Sequence, residues 1–392
     1  MSFINKNPYF PQLIRNELEK AGMKEIGDDG GGGGSGASDD KFSKIHYCDI
    51  SYGKRNHANY KKCEIVNQLQ DVNILGNKKM QYDNHINYYK TRPDYIPMTA
   101  SFRRENIDTI QSIFEGTKKF ILKPENSLSR KGVAIVRNHL ELIQHLANFP
   151  NYDEWIIQEY IDNPLLFNDK KFHFRVYVVY LQNSEYQAAY IGKKGFIYTA
   201  NKPFRPDTID NDVVLSGENA EENVFYTPND FISKYGNKIW DNKIVPQFIK
   251  IARETLKSAL SHLQCPAVKQ KCFKILGYDI LVDKDFKCYL AEINARNVSY
   301  KYPNEEFKES FYKNILKLVL SDTSLSNQEL KKQGLPYERI LFQNDGNIIE
   351  GFNGEMKVYE PIQPSSFNAF FWRYIFPFIL IVLIILAVLL RK

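Results

Sequence analysis

The chain of 392 residues is poor in cysteine, methionine and tryptophan, with five, five and three of each. Its cysteines, Cys48, Cys63, Cys265, Cys272 and Cys288, are odd in number, scattered, and never spaced C-x-x-C. That pattern argues against a zinc module and a disulfide framework, and fits a reducing compartment. No internal repeat is visible, which removes repeat architectures. Lysine and arginine are spread without a basic arm and the formal net charge is only +6, so nucleic acid is not an expected partner. The N-terminus, Met1-Ser2-Phe3-Ile4-Asn5-Lys6, lacks the apolar core of a signal peptide. The glycine-rich stretch 27–40 lacks a Gly-Lys-Ser/Thr ending, and is a flexible loop rather than a phosphate cradle.

What is present is globular: 43% hydrophobic and 25% charged residues, in a chain long enough for two or three domains. The exception is the C-terminus. Tyr374 to Leu390 are all apolar or aromatic, and 17 residues as a helix span about 26 Å, close to the hydrocarbon thickness. Residues 369–390 are therefore expected to form a single-pass membrane anchor, inserted after synthesis, with the bulk of the protein in the cytosol. The 326–368 stretch is expected to be an irregular tether.

Elsewhere, periodicity predicts helices over Pro11 to Ala21, Lys61 to Leu69, His139 to Asn148, 246–263 and Glu305 to Leu320. Strands are expected over Phe120 to Pro124, Gly132 to Val136, Trp155 to Ile161 and Lys171 to Val178. The last alternates, so Lys171, His173 and Arg175 share a face. Most informative is Gly277-Tyr278-Asp279-Ile280-Leu281-Val282, a short turn Asp283-Lys284-Asp285, then Leu290-Ala291-Glu292-Ile293-Asn294. This is a hairpin signal. Pairing puts Asp279, Glu292 and Asn294 on one face, and two carboxylates with an amide oxygen suit a hard divalent cation such as Mg²⁺. Lys123 at a strand end, Arg130 and Lys131 in the following loop, and Lys171 and Arg175 on a facing strand could neutralise a triphosphate. Gln158, Glu159, Tyr160 and Ile161 could form the linker that meets an adenine.

In this order the motifs resemble the tubulin–tyrosine ligase-like family of the ATP-grasp superfamily. The resemblance rests on Lys123-Pro124, Ser129-Arg130-Lys131-Gly132, the run Gln158-Glu159-Tyr160-Ile161-Asp162-Asn163-Pro164-Leu165-Leu166, Lys171-Phe172-His173-Phe174-Arg175, and Asp279 with Glu292 and Asn294. Upstream, Asn67-Gln68-Leu69 and Pro93-Asp94-Tyr95-Ile96-Pro97 are also similar to the family. It covers roughly residues 60 to 320. The resemblance implies an α/β (α+β) ATP-grasp fold: an N-terminal domain over 1–92, a central subdomain over 93–185 and a C-terminal subdomain over 186–325, which sandwich the nucleotide. It implies ATP and Mg²⁺ as cofactors, and ligation of an amino acid to a protein carboxylate, tubulin being one acceptor, through an acyl phosphate. Lys123 and Lys171 would contact nucleotide, Arg175 the γ-phosphate, and Asp279, Glu292 and Asn294 the metal. Among the positions that depart from the family, His173 stands for its Asp and Tyr198 for its substrate-binding Arg; Glu159 stands for a frequent Lys, and Val214-Leu215-Ser216-Gly217 for its His-Leu-Thr-Asn element. With Arg296, His173 and Tyr198 form the possible substrate region, and the departures leave open another ATP-grasp transferase or peptide ligase, or a tethered binding protein without activity.

Overall fold

The computed structural model describes residues 2–5, 16, 18–19, 24–25, 45–49, 63–116, 118–125, 131–206, 208–216, 226–267, 270–295, 305–344, 347–352 and 355–359. The 27–40 loop, the expected anchor over 369–390 and most of the helix expected over Pro11 to Ala21 lie outside them. Among the described residues no helix is long and apolar enough to cross a membrane.

Four parallel strands open the fold: β1 (Ser2–Asn5), β2 (Lys24–Glu25), β3 (Ile45–Asp49) and β4 (Cys63–Val66). The helix expected over Lys61 to Leu69 is thus corrected to a strand. Its Ile65 and Val66 are β-branched, and β4 pairs in parallel with Lys271 and Cys272, so a sheet satisfies its backbone. Helix α1 (Lys78–Tyr89) starts at Asn77, whose side chain accepts the Met80 N–H at 3.0 Å, and stops at Lys90 in the left-handed region.

A small antiparallel sheet follows. Its strands β5 (Thr99–Arg103), β6 (Phe120–Pro124), β7 (Ala134–Val136) and β8 (Glu154–Glu159) lie in the order β5-β8-β6-β7. Helix α2 (His139–Ala147) buries Leu142 and Leu146 against Phe120, Leu122 and Trp155 on one face. The other face of β6 carries Ile121 and Lys123.

The remaining strands are β9 (Leu166–Phe167), β10 (Lys170–Gln182), β11 (Tyr186–Thr199), β12 (Lys271–Val282), β13 (Cys288–Asn294), β14 (Tyr337–Asn344), β15 (Asn347–Phe352) and β16 (Glu355–Tyr359). They join β1–β4 in one twelve-stranded sheet, ordered β16-β15-β14-β11-β10-β12-β4-β3-β1-β2, with β13 on β12 and β9 on β10. Helix α3 (Val245–Ala259) covers one face and α4 (Glu305–Leu320) the other. Along β10, Val176, Val178 and Tyr180 join the α3 core, while Tyr177, Val179 and Leu181 join the α4 core. The upper part of the α4-side face is where Lys171, His173 and Arg175 stand.

Three further expectations change. β10 falls within the 93–185 subdomain by the sequence boundary, yet it is a central strand of the large sheet. The 326–368 stretch is not an irregular tether as far as it is described. It contains a helix, Asn327–Lys332, and β14 to β16, and β14 pairs antiparallel with β11 over buried Tyr337, Ile340 and Leu341. Finally, Cys265 and Cys272 form a disulfide with Cα atoms 5.6 Å apart. The bridge is local, joining the segment after α3 to β12 across a separation of seven residues.

Candidate active site

The hairpin turn forms as its sequence suggests: Asp283 Oδ1 accepts the N–H groups of Asp285 and Lys287, both at 2.9 Å. Register then pairs Asp279 with Glu292 and Gly277 with Asn294, with a bulge just after Asp279. The Asn294 amide donates to Asp279 Oδ2 at 3.2 Å and reaches Glu292 Oε1 at 3.4 Å. The three side chains do converge. The charge argument needs correction, however, because the protein supplies its own cations. Arg175, cross-strand partner of Asp279, grips its carboxylate with Nε and Nη2, the latter at 3.1 Å. Lys78, at the start of α1, donates to Glu292 Oε2 at 2.5 Å. Lys78 holds the Glu292 carboxyl well below the usual carboxylate range, against the opposing effect of burial. Burial would lower the Arg175 pKa, but Asp279 more than offsets it and keeps the guanidinium charged. Among the described residues no group of three or more His, Cys, Asp or Glu is placed to hold a metal. The hairpin offers two carboxylates and an amide instead.

Lys171, 3% exposed, lies over the Tyr160 ring with its Nζ 3.7 Å from the centroid. Lys123 comes from the small sheet and donates to no side chain among the described residues. Burial first, then Lys78, pushes the Lys123 ammonium down to about 7, although Glu292 and Asp279 pull it back. Burial and then Lys123 push Lys171 down to about 7 as well. Lys123 on β6 and Lys171 on β10 are thus near enough to repel one another. Next to Lys123, the chain at Gly132 passes close against Pro124: its φ is +77°, and a Cβ there would stand 2.7 Å from Pro124 Cγ. Lys131 is exposed, and Arg130 and Arg296 lie outside the described residues.

The expected adenine linker is held firmly. Gln158 spends its amide N–H on Thr99 Oγ1 at 2.9 Å. The Glu159 N–H donates to Met98 O at 2.8 Å and the Tyr160 N–H to Lys119 O at 2.9 Å. The Glu159 carboxylate pairs with Lys118 at 2.8 Å and with Arg92 at 3.6 Å. Ile161 is buried beside them. These groups build a wall, and the Gln158 amide N–H and the Glu159 and Tyr160 N–H groups are committed within the protein. His173 and Tyr198 are cross-strand partners, both 6% exposed, with the Arg175 guanidinium 5.4 Å above the Tyr198 ring.

Sequence reasoning missed Lys78. Its role depends on a contact across 214 residues with Glu292, and no local pattern marks it beyond the Asn77 cap just before it.

The molecule is therefore a mixed α+β protein with a charged site where its two sheets meet: Arg175, Lys78 and Lys123 lie near the Asp279 and Glu292 carboxylates, and Lys171 lies near Lys123. A profile of the tubulin-tyrosine ligase family matches residues 54–331, and the chain belongs to that family. It is 24% identical over 370 residues to tubulin polyglutamylase TTLL7 of Homo sapiens, covering 84% of this chain and 40% of that protein. It is 23% identical over 272 residues to tubulin glycylase 3D of Tetrahymena thermophila, covering 64% and 25%. A probable alpha-tubulin polyglutamylase, Ttll1 of the same organism, is 24% identical over 292 residues, covering 68% and 69%. The chain thus spans well under half the length of the first two relatives.

Proposed function

We propose that this chain is an ATP- and Mg²⁺-dependent ligase of ATP-grasp type that joins the amino group of an amino acid to a protein carboxylate. The observation that carries the reading is the pair of half-buried Lys123 and buried Lys171, two amines close to one another with no carboxylate bonded to either among the described residues, near the oxygen-rich hairpin. Such an arrangement is costly alone and is relieved by a polyanion. Arg175 Nη1 is also buried and without a hydrogen-bond partner, and fits the same ligand.

The donor set suits Mg²⁺, since Asp279, Glu292 and Asn294 supply oxygens. Bound Mg·ATP would supply the phosphoryl group that activates the acceptor carboxylate, as an acyl phosphate. The rest falls to the chain's own residues. Lys123 and Lys171 attract and orient the phosphates, Arg175 holds Asp279 and faces the same charge, and Lys78 fixes Glu292. Tyr160 and Ile161 wall the cleft, and Gln158 braces that wall.

The names of the relatives make glutamate and glycine the first amino acids to test and tubulin the first acceptor. The apolar run from Tyr374 to Leu390 supports a single-pass anchor over 369–390, and the reading keeps the catalytic part in the cytosol. The test is incubation of the full chain with Mg·ATP, labelled glutamate or glycine, and tubulin or cell extract. Label in protein that disappears in Glu292→Gln supports ligation. Release of ADP without transfer of any amino acid overturns it.

A further inference from the structure

His173 is held on three sides. Its ring lies 5.3 Å from that of Tyr198 at a tilt of 32°. Its Nδ1 is 2.8 Å from Ser216 Oγ, and its Nε2 is 3.7 Å from Asp279 Oδ1. Ser216 bridges back to Ala200 at the end of β11, and it closes the segment 208–216, which crosses from the large sheet to the small one. There Val213 and Val214, both almost fully buried, pack with Ile121 and Ile135 of β6 and β7, and the Asn211 amide donates to Val133 O at 3.1 Å. A continuous chain of contacts thus runs from the small sheet through Ser216 and His173 to Asp279.

Arg175 bonds both Asp279 oxygens and the Asn294 amide donates to Oδ2, while His173 Nε2 stands 3.7 Å from Oδ1. A cation on Asp279 must share its oxygens with Arg175 and Asn294, so the His173 ring packed beside Oδ1 limits how far the carboxylate can turn to meet it; groups that orient ligands from behind commonly change metal affinity by about 10–100-fold. We propose that His173 is a positioning residue: through Ser216 it couples docking of the 208–216 segment on the small sheet to the orientation of Asp279. The proposal rests on the magnesium–nucleotide reading of the cleft and goes beyond it. The coupling is reciprocal, so a cation on Asp279 also steadies the segment.

The experiment uses the full chain and titrates Mn²⁺ in the presence of ATP, followed by electron paramagnetic resonance. His173→Phe keeps a ring against Tyr198 but removes both nitrogens, and Ser216→Ala removes one hydroxyl. Each single variant is expected to weaken Mn²⁺ binding about tenfold. The double variant is expected to bind no more weakly than His173→Phe, because both changes act through one ring. Hydrogen exchange of the 208–216 amides should slow on Mn·ATP binding in the wild type and not in Ser216→Ala. Wild-type Mn²⁺ affinity in both single variants, or losses that add in the double, overturns the proposal. Failure of the wild type itself to bind Mn·ATP overturns the nucleotide reading, and this inference with it, and is seen before any variant is made.

Discussion

Lys123 and Lys171 give the clearest expectation at the scale of single residues. Both are brought to about 7, while an unfolded lysine keeps its proton to 10.5. Between those values the unfolded chain binds more protons than the folded one. The ligand-free protein therefore gains stability as pH rises from about 7 to about 10.5, and the penalty is fully present below 7. A polyphosphate favours the ammonium forms, so nucleotide binding near pH 8 should take up about one proton or more. Calorimetry in two buffers of different ionisation enthalpy measures it, and Lys123→Met should reduce it; no uptake in the wild type would contradict the buried-lysine picture. Gly132→Ala tests the neighbouring backbone. A side chain at that φ and so close to Pro124 should cost about 1–3 kcal/mol in denaturant unfolding and weaken nucleotide binding, since Pro124 adjoins Lys123. Much of this residue set was legible, because strand alternation puts Lys171 with Arg175 and Glu292 with Asn294, and hairpin pairing adds Asp279. The cations that neutralise the carboxylates were not, since Arg175 and Lys78 meet them only through pairing across 104 and 214 residues.

Elements were legible where one pattern dominated. The strong strands of the hairpin, α4 and the small sheet carried their own periodicity. β4 did not: Ile65, Val66 and Leu69 fit helical spacing, and it is the parallel neighbours β3 and β12, the latter more than 200 residues away in sequence, that decide for a strand. Helix α1 escaped notice because its sequence, Lys-Lys-Met-Gln-Tyr-Asp-Asn-His-Ile-Asn-Tyr-Tyr, has no apolar stripe. It is seated by polar contacts, such as the Asn84 amide to Ser258 O at 3.0 Å and the Tyr89 hydroxyl to Glu254 O at 2.9 Å. β14 was hidden by distance from the motifs, and its burial makes a firm prediction. Leu341, 1% exposed against the α3 core, should lose about 2–5 kcal/mol on replacement by Ala. Removing residues from 337 onward should expose the edge of β11 and produce aggregation, whereas a chain ending at 359 should keep the melting temperature of the full one. Equal stability of the two truncations would show that β14 is dispensable.

For the whole molecule, the cleft is a joint product of two sheets, and each contributes something the other lacks. The small sheet brings Lys123; the large sheet brings Lys171, Arg175 and the oxygen set; α1 brings Lys78 to close the end. A ligand that bridges them stabilises the folded state by mass action, about 2.7 kcal/mol at a hundredfold excess over Kd. The two halves should separate in a thermal-shift experiment. Glu292→Gln keeps its shape and leaves Lys78 a neutral oxygen to bond, so ATP alone should still raise the melting temperature, but added Mg²⁺ should no longer increase the shift. Lys123→Met removes a phosphate partner on the opposite sheet, so the shift should shrink with and without Mg²⁺. Asp279→Ala is a poorer probe, because it strands the buried Arg175 charge and costs about 3–5 kcal/mol before any ligand is added. If Glu292→Gln retains the full Mg²⁺ increment while Lys123→Met loses it, the metal sits on the small-sheet side, and the hairpin's carboxylates serve only to hold Lys78 and Arg175 in place.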